Sequence, residues 1–394
     1  MPTKLENVMD KIGNDLILIV DDDQLIRMMI SAYLKEAGFQ NLEFALDGGE
    51  AVQKIQTLSP DCVILDINMP VQDGFYVLDQ VRNKLGNTDI PILVSTAMSD
   101  HDDRNRILRA GATNLISKPL DSILLVERVI DVLERQHLFR TLKEYQHRMS
   151  AELNLAREMQ ENLMPTQSEI DALMSHYGCK LDSHFLTSSE LGGDFWGVSR
   201  VDDTRFSVFV ADLVGHGVSA ALNTFCVHSL MNEIETNRYS PAEYLTVLNQ
   251  KLSGVLALGQ FATMFYAIVD VKNEILTYAA AACPDPIFGS TRPTPKVEFG
   301  DGTGFPLSIN ENATYVDHVV PFGPDDFLFM YSDALIETKR TNADAIGFDG
   351  LKEEVNRALK ADPDKPMECV LKSFFDEVEL PLPDDLTAVW ITYN

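Results

Sequence analysis

The chain has 394 residues, 45% of them hydrophobic and 23% charged, with a formal net charge of −28 at pH 7. That length exceeds one ordinary core, so two domains and a connector are expected, and the acidic excess argues against broad binding to nucleic acid or an anionic membrane, both polyanions. Five scattered cysteines without a Cys-x-x-Cys pair argue against a disulfide framework or a zinc site, and the lack of an apolar leader or a long apolar run points to a cytoplasmic protein.

Residues 16–21, LILIVD, read as a buried strand ending in the acids Asp21, Asp22 and Asp23. A helix-period segment runs through Ile26, Met29, Ile30, Tyr33 and Leu34 to Gly38. A short strand at Leu42–Ala45 and a helix near 51–58 follow. Then come the strands CVILD (62–66) and PILVST (91–96), a helix near 102–110, and NLIS before Lys118-Pro119. Apolar strands alternating with helices imply a parallel sheet covered on both faces. Functional groups of such sheets gather at the carboxyl ends of the strands, where Asp21, Asp22, Asp66, Thr96 and Lys118 all fall. Three acids on one rim repel unless a hard cation such as Mg²⁺ sits among them, while a lysine and a hydroxyl suit the oxygens of a phosphoryl group.

The pieces LIVDDD, VILDINMPVQDG, VSTA and ISKP resemble a response-regulator receiver domain, assigned to residues 14–135, with a doubly wound, five-stranded, flavodoxin-like α/β fold. The resemblance implies Asp66 as the phosphoacceptor, Asp22 as a Mg²⁺ ligand supported by Asp21, and the carbonyl of Asn68 completing the metal site. Thr96 and Lys118 would contact the phosphoryl group, and a sensor histidine kinase would be the upstream partner. Where many receivers carry an aromatic residue three positions before the lysine, this chain has Leu115.

From Ile123 to Met164 there is neither glycine nor proline. Leu138, Leu142, Tyr145, Met149, Leu153, Ala156 and Leu163 recur at spacings mostly of three or four, one apolar stripe on a long helix. The stripe suits a parallel coiled coil and hence a homodimer, with 136–165 as the linker. Tyr145, Ala156 and the polar Gln160 interrupt the seam. Packing of the stripe on its own chain is the alternative.

Beyond Pro165 the runs SVFVADL, FATMFYAIVDV, EILTYAAA, DDFLFMYSD and LTAVWITYN read as strands, with helices near 218–236 and 241–256. This pattern predicts an α+β domain of stacked antiparallel sheets flanked by helices, over 166–394. Acids stand at strand ends or in glycine turns: Asp194 in LGGDFWG, Asp212 in VADLVGHG, Asp333 in FMYSDALIE, and Asp384 with Asp385 in PDDLTAVW. A buried strand has no structural use for an unpaired carboxylate such as Asp212. Several acids converging on two divalent ions would explain the set, because such an ion pair supplies both a nucleophilic water and charge compensation for a phosphoryl centre. Flanking glycines let backbone carbonyls approach the ions, and His216 is read as shaping its turn.

LGGDF, ADLVGHGVSAAL, FATMFYAIVD, DDFLFMYSDALIE and DDLTAVW, in that order, resemble the PPM-type protein serine/threonine phosphatases of the stage II sporulation E-like branch. The resemblance implies two Mn²⁺ or Mg²⁺ held by Asp194, Asp212, Asp333 and Asp384, with the Leu213 carbonyl beside them and Asp385 adjoining. It further implies a phosphorylated anti-sigma-factor antagonist or similar protein as substrate. The chain departs from the family at Trp196-Gly197, at Ala334, and at Ala281-Ala282-Cys283. The expected function is a two-component response regulator whose receiver controls a phosphatase. The alternative is a non-catalytic adaptor that holds a sigma factor or other client under receiver control.

Overall fold

The computed structural model describes every residue except 1–3, 98, 99, 216, 236, 237, 258, 293, 294 and 342. His216, read as a turn-shaping residue, lies outside the described residues. The chain divides into two compact units, Met1–Met149 and Ser150–Asn394.

In the first unit the apolar runs form β1 (Ile17–Val20), β2 (Leu42–Ala45), β3 (Cys62–Asp66), β4 (Ile92–Thr96) and β5 (Asn114–Ser117). They pair in parallel in the order β2-β1-β3-β4-β5. Side chains alternate between faces. Ile17, Ile19, Cys62, Ile64 and Leu93 pack on one side with α1 (Lys4–Ile12) and α2 (Gln24–Glu36). Leu18, Val20, Val63, Leu65 and Val94 pack on the other with α3 (Gly48–Leu58), α4 (Gly74–Asp79) and α5 (His101–Arg109). Burial on both faces is why the strands read as unbroken hydrophobic runs. The sheet has the flavodoxin-like receiver topology.

Helix α6 runs from Ser122 to Glu161, 40 residues or about 60 Å. Its first turns bury Leu125, Val129, Val132 and Leu133 on the first face of the sheet. His137 contacts Asp15 at 2.8 Å and Arg140 contacts Asp61 at 2.7 Å. The helix stops three residues before Met164, since a residue preceding proline is disfavoured in the α conformation. No helix among the described residues is long and apolar enough to cross a membrane.

In the second unit, α7 (Gln167–Tyr177) opens with a capping box between Thr166 and Glu169. The strands are β6 (Cys179–Leu186), β7 (Phe195–Arg200), β8 (Arg205–Leu213), β9 (Ala262–Asp270), β10 (Ile275–Ala281), β11 (Ile287–Ser290), β12 (Lys296–Phe299), β13 (His318–Pro321), β14 (Asp326–Tyr331) and β15 (Leu386–Tyr393). They make two antiparallel sheets, β13-β10-β9-β8-β7 and β12-β11-β14-β15-β6. Between the sheets pack Trp196, Val208, Val210, Phe265 and Val269 from the first, against Leu328, Met330, Val389 and Ile391 from the second.

Outside the first sheet lie α8 (Val218–Asn232) and α9 (Pro241–Leu252). Outside the second lie α10 (Ala334–Glu337), α11 (Gly347–Ala361) and α12 (Pro366–Phe375). The result is a four-layer helix-sheet-sheet-helix sandwich. Strand parity then dictates the site. Asp194 shares the parity of Trp196, Asp212 that of Val210, and Asp385 that of Val389, so all three continue rows that face the gap between the sheets.

Candidate functional site

At the carboxyl rim of the parallel sheet, Asp21, Asp22 and Asp66 bring carboxylate oxygens within 4.8 Å of one another. Lys118 Nζ lies 3.1 Å from Asp21 Oδ2 and 3.0 Å from Asp66 Oδ2. Asp66 is 4% exposed, and its Oδ1 is buried without a hydrogen-bond partner. Burial raises the Asp66 pKa, against the pull of Lys118 and the Asn68 backbone N–H. Burial alone would lower the Lys118 pKa, but Asp66 and Asp21 together outweigh it and raise it. Thr96 is buried at the end of β4, Asn68 is exposed just past β3, and Leu115 packs half-buried against the core. An orphaned buried carboxylate oxygen within an all-oxygen cluster is what a hard divalent cation, or a phosphoryl group, would complete.

In the second unit Asp194 precedes β7, Asp212 is the penultimate residue of β8, Asp333 precedes α10, and Asp384 and Asp385 precede β15. Burial first, and then Asp212, raise Asp194 well above the carboxylate range. Burial, Asp333 and Asp384 push Asp212 up to about 7. Burial, Asp384 and Glu337 push Asp333 to about 6. Such mutual repulsion requires that acids far apart in sequence share one locality. Asp194 lies close enough to Asp212 to offset part of that rise. Among the described residues only the Asp21, Asp22 and Asp66 group fits three oxygens within 4.8 Å. No group of three acids in the second unit meets that criterion among the described residues.

Around them stands a hydrogen-bonded shell. Thr387 donates to Asp194 Oδ2 at 2.7 Å, and Ser332 Oγ donates to the Asp385 carbonyl at 2.9 Å. Asp385 itself accepts from Ser188 N at 2.7 Å, Ser188 Oγ at 2.9 Å and Gly193 N at 2.5 Å. Its carboxylate thus holds backbone, while the exposed Asp384 is left to face Asp212 and Asp333. The Leu213 carbonyl approaches Gly193 so closely that a Cβ there would stand 2.5 Å away, hence the glycine. Ser188, Ser332 and Thr387 escaped the sequence reading. Ser332 and Thr387 carried a usable signal, each being a hydroxyl beside a motif acid in an otherwise apolar run, whereas Ser188 carried none.

A cavity of about 230 Å³ adjoins Asp212 and Asp333, lined also by Thr263, Cys283, Pro284 and Glu337. The departures from the family pattern are placed by the structure. Trp196 fills the core between the sheets. A Cβ at position 197 would come within 2.7 Å of the Phe209 ring, so Gly197 accommodates that ring. Ala334 is buried at the start of α10, and Ala282 adopts φ +57, the left-handed region that glycine enters at no cost.

The pKa directions carry a stability consequence. In the metal-free chain the folded pKa values of Asp194, Asp212 and Asp333 all exceed the ordinary value of 3.8. The folded state therefore binds more protons than the unfolded one, and stability is lost as pH rises from about 4 through about 7. Calorimetry in EDTA should show the transition of the second unit falling across that window. Mn²⁺ should restore it at pH 7.5, and Asp212→Asn should flatten the pH dependence; a transition insensitive to both pH and Mn²⁺ would contradict the clustering.

The sequence profile of the response regulator receiver domain matches residues 17–130, and that of stage II sporulation protein E matches residues 202–394. Response regulator RR06 of Streptococcus pneumoniae is 33% identical over 130 residues, which cover 33% of this chain and 58% of that protein. Phosphoserine phosphatase RsbP of Bacillus subtilis is 26% identical over 220 residues, covering 55% of this chain and 50% of RsbP. The chain thus spans about half the length of these curated relatives. The SiaA-PP2C domain of Pseudomonas aeruginosa superposes with a TM-score of 0.56 at 17% identity, over 64% of this chain and 98% of that domain, a likeness of fold. From the two profile matches, with the parallel sheet of the first unit and the two antiparallel sheets of the second, the chain is a response regulator with an N-terminal receiver domain and a C-terminal domain of the PPM-type, stage II sporulation E-like phosphatase family.

Proposed function

We propose that the chain is a receiver-controlled, metal-dependent protein phosphatase that hydrolyses phosphoserine or phosphothreonine on a regulatory protein, an anti-sigma-factor antagonist being the expected class. The observation that carries this reading is the electrostatic coupling of Asp194, Asp212, Asp333 and Asp384 beside an open cavity. Retained acids favour catalysis over a purely adaptor role. The test is release of phosphate from a phosphoserine peptide by the full chain, with Mn²⁺ or Mg²⁺ against EDTA. Metal-independent or absent turnover alongside retained client binding would favour the adaptor.

In this reading Asp194, Asp212, Asp333 and Asp384, with the Leu213 carbonyl, hold two divalent cations. When bound, these supply Lewis acidity for the phosphoryl oxygens and acidify the attacking water toward neutral pH. The chain's own part is to fix the carboxylates. Thr387 orients Asp194, Asp385 locks the 188–193 backbone, and Ser332 joins the ends of β14 and β15. The cavity receives the phosphorylated side chain, and Cys283 and Pro284 form part of its wall.

In the receiver, Asp66 would accept a phosphoryl group from a histidine kinase; Asp21, Asp22 and the Asn68 carbonyl are the groups that would hold a Mg²⁺ there, offsetting charge on the phosphoryl group, and Lys118 and Thr96 would meet its oxygens. Five free cysteines suit a reducing, cytoplasmic setting. Leu138, Leu142, Tyr145 and Met149 are exposed along α6, which supports pairing of two such helices in a homodimer. Light scattering should return twice the mass of one 44.0 kDa chain, and Leu142→Glu should return the single mass. A monomer in the unmodified chain, with or without acetyl phosphate, would reject the pairing.

A further inference from the structure

The cavity beside Asp212 and Asp333 has two unlike walls. Asp212, Asp333 and the exposed Glu337 make one of them acidic, and no lysine, arginine or histidine lines the cavity among the described residues. The other wall is apolar. Val210, Phe265 and Met330 back it from the core between the sheets. Pro284, Ile336 and Phe348 carry the apolar surface outward, and Phe348 remains 42% exposed. Hydrolysis of a phosphate ester makes no use of such a wall, since it works by positioning and charge stabilisation of polar groups.

The apolar wall is held in place by the chain itself. The Tyr331 hydroxyl donates to the Asp285 carbonyl at 2.8 Å, and the Gly302 N–H donates to Asp285 Oδ1 at 2.8 Å. The turn that carries Pro284 is therefore tied to β14 and to the segment after β12. The Phe348 ring meets Phe299 of β12 edge to face, with centroids 5.9 Å apart at 89°, and Lys352 Nζ lies 5.4 Å from the Phe299 centroid. An aromatic side chain open to solvent is thus packed against a neighbour that is itself packed. Surface fixed in advance loses little freedom on binding, and apolar walls with a few convergent polar groups are the usual make-up of a ligand site.

We propose that this cavity selects its substrate by the residues on either side of the phosphoserine: an apolar flanking side chain packs on Phe348, Ile336 and Pro284, and an acidic one is turned away by Glu337. The substrate is then a phosphorylated segment with apolar flanks. The inference rests on the dimetal phosphatase reading above. A phosphoserine side chain is short, so a phosphoryl group that reaches the acids brings the peptide backbone to the cavity mouth and its neighbouring side chains onto the walls. An apolar neighbour leaves water there and is stabilised in proportion to the apolar area it covers. An acidic neighbour meets like charge. The four aspartates formally offset two divalent ions, which leaves Glu337 uncompensated on a wall without a cation.

The test uses the full chain at saturating Mn²⁺ and three phosphoserine peptides of equal length that carry Leu, Gln or Glu at both flanking positions. The expected order of kcat/KM is Leu above Gln above Glu, with Leu over Glu by about tenfold or more. The Gln-to-Glu gap should narrow between about 0.05 and about 0.5 M NaCl, whereas the Leu-to-Gln gap should persist, because salt screens charge and not apolar contact. Phe348→Ala should shrink the Leu-to-Gln gap severalfold, and Glu337→Gln should shrink the Gln-to-Glu gap. Equal kcat/KM for the three peptides would overturn the proposal, as would a Leu preference that a folded Phe348→Ala chain keeps in full. Should that variant melt far below the parent, the ranking of the three peptides by the parent decides alone. A parent chain that hydrolyses none of them with Mn²⁺ would refute the phosphatase reading itself, a separate and recognisable failure that takes this proposal with it.

Discussion

Asp212→Asn should lower Mn²⁺-dependent hydrolysis of a phosphoserine peptide by at least about 10²–10³-fold, the scale on which loss of transition-state charge stabilisation is felt. Burial and then the charges of Asp333 and Asp384 push the Asp212 pKa up, so Asp212 shares one locality with both. An amide there keeps the shape of the side chain but gives up the negative charge that the proposed cations would need. The same change should leave the fold intact and raise its melting temperature in EDTA, since it deletes one member of a mutually repelling set. Activity lost together with the fold would make the residue structural, and turnover equal to the parent's would remove the dimetal account. The opposite signs expected for activity and for metal-free stability are what separate a site residue from a core residue.

Much of this was legible in the sequence because both sheets impose strict periodicities. Strands of the parallel sheet are buried on both faces and so appear as apolar runs, and an acid that terminates such a run stands out, as Asp66 does after CVIL. In the antiparallel half the same logic exposes Asp212, which continues the inward-facing row of Phe206, Val208 and Val210. Adjacent aspartates were harder to separate. Nothing in PDDL says that Asp385 turns inward to grip Ser188 and Gly193 while Asp384 stays exposed; strand parity does.

The helices α11 and α12 went unread although Leu351, Val355, Ala358 and Leu359 recur at helical spacing. Strand β6 alternates poorly and is half-exposed over most of its length, so it gave little signal. Gln160 was visible only as a flaw in an apolar stripe. Its partners are backbone groups, which leave no trace in sequence, and only the folded loop shows that a polar residue belongs at that position.

Asp66→Ala should abolish labelling of the chain by acetyl phosphate, because among the described residues no other carboxylate at the rim combines burial, an oxygen without a hydrogen-bond partner and a lysine. Asp66 Oδ1 is buried without a partner and Oδ2 lies 3.0 Å from Lys118. A phosphoryl group added there brings about −1.5 to −2 of charge and three acceptor oxygens, which Lys118 and the Thr96 hydroxyl at the neighbouring strand end are placed to meet. The fold should tolerate the change, since Lys118 keeps Asp21 at 3.1 Å and is not left as an unpaired buried cation. Lys118→Met should retain Asp66 but label more weakly, as the cation that stabilises the product is lost. Label persisting at the parent level in Asp66→Ala would move the phosphoacceptor elsewhere. The same variant separates chemistry from control: its phosphatase rate should no longer respond to acetyl phosphate while its Mn²⁺ requirement stays as in the parent, and a rate that still responds would mean that the signal enters the phosphatase domain by a route other than Asp66.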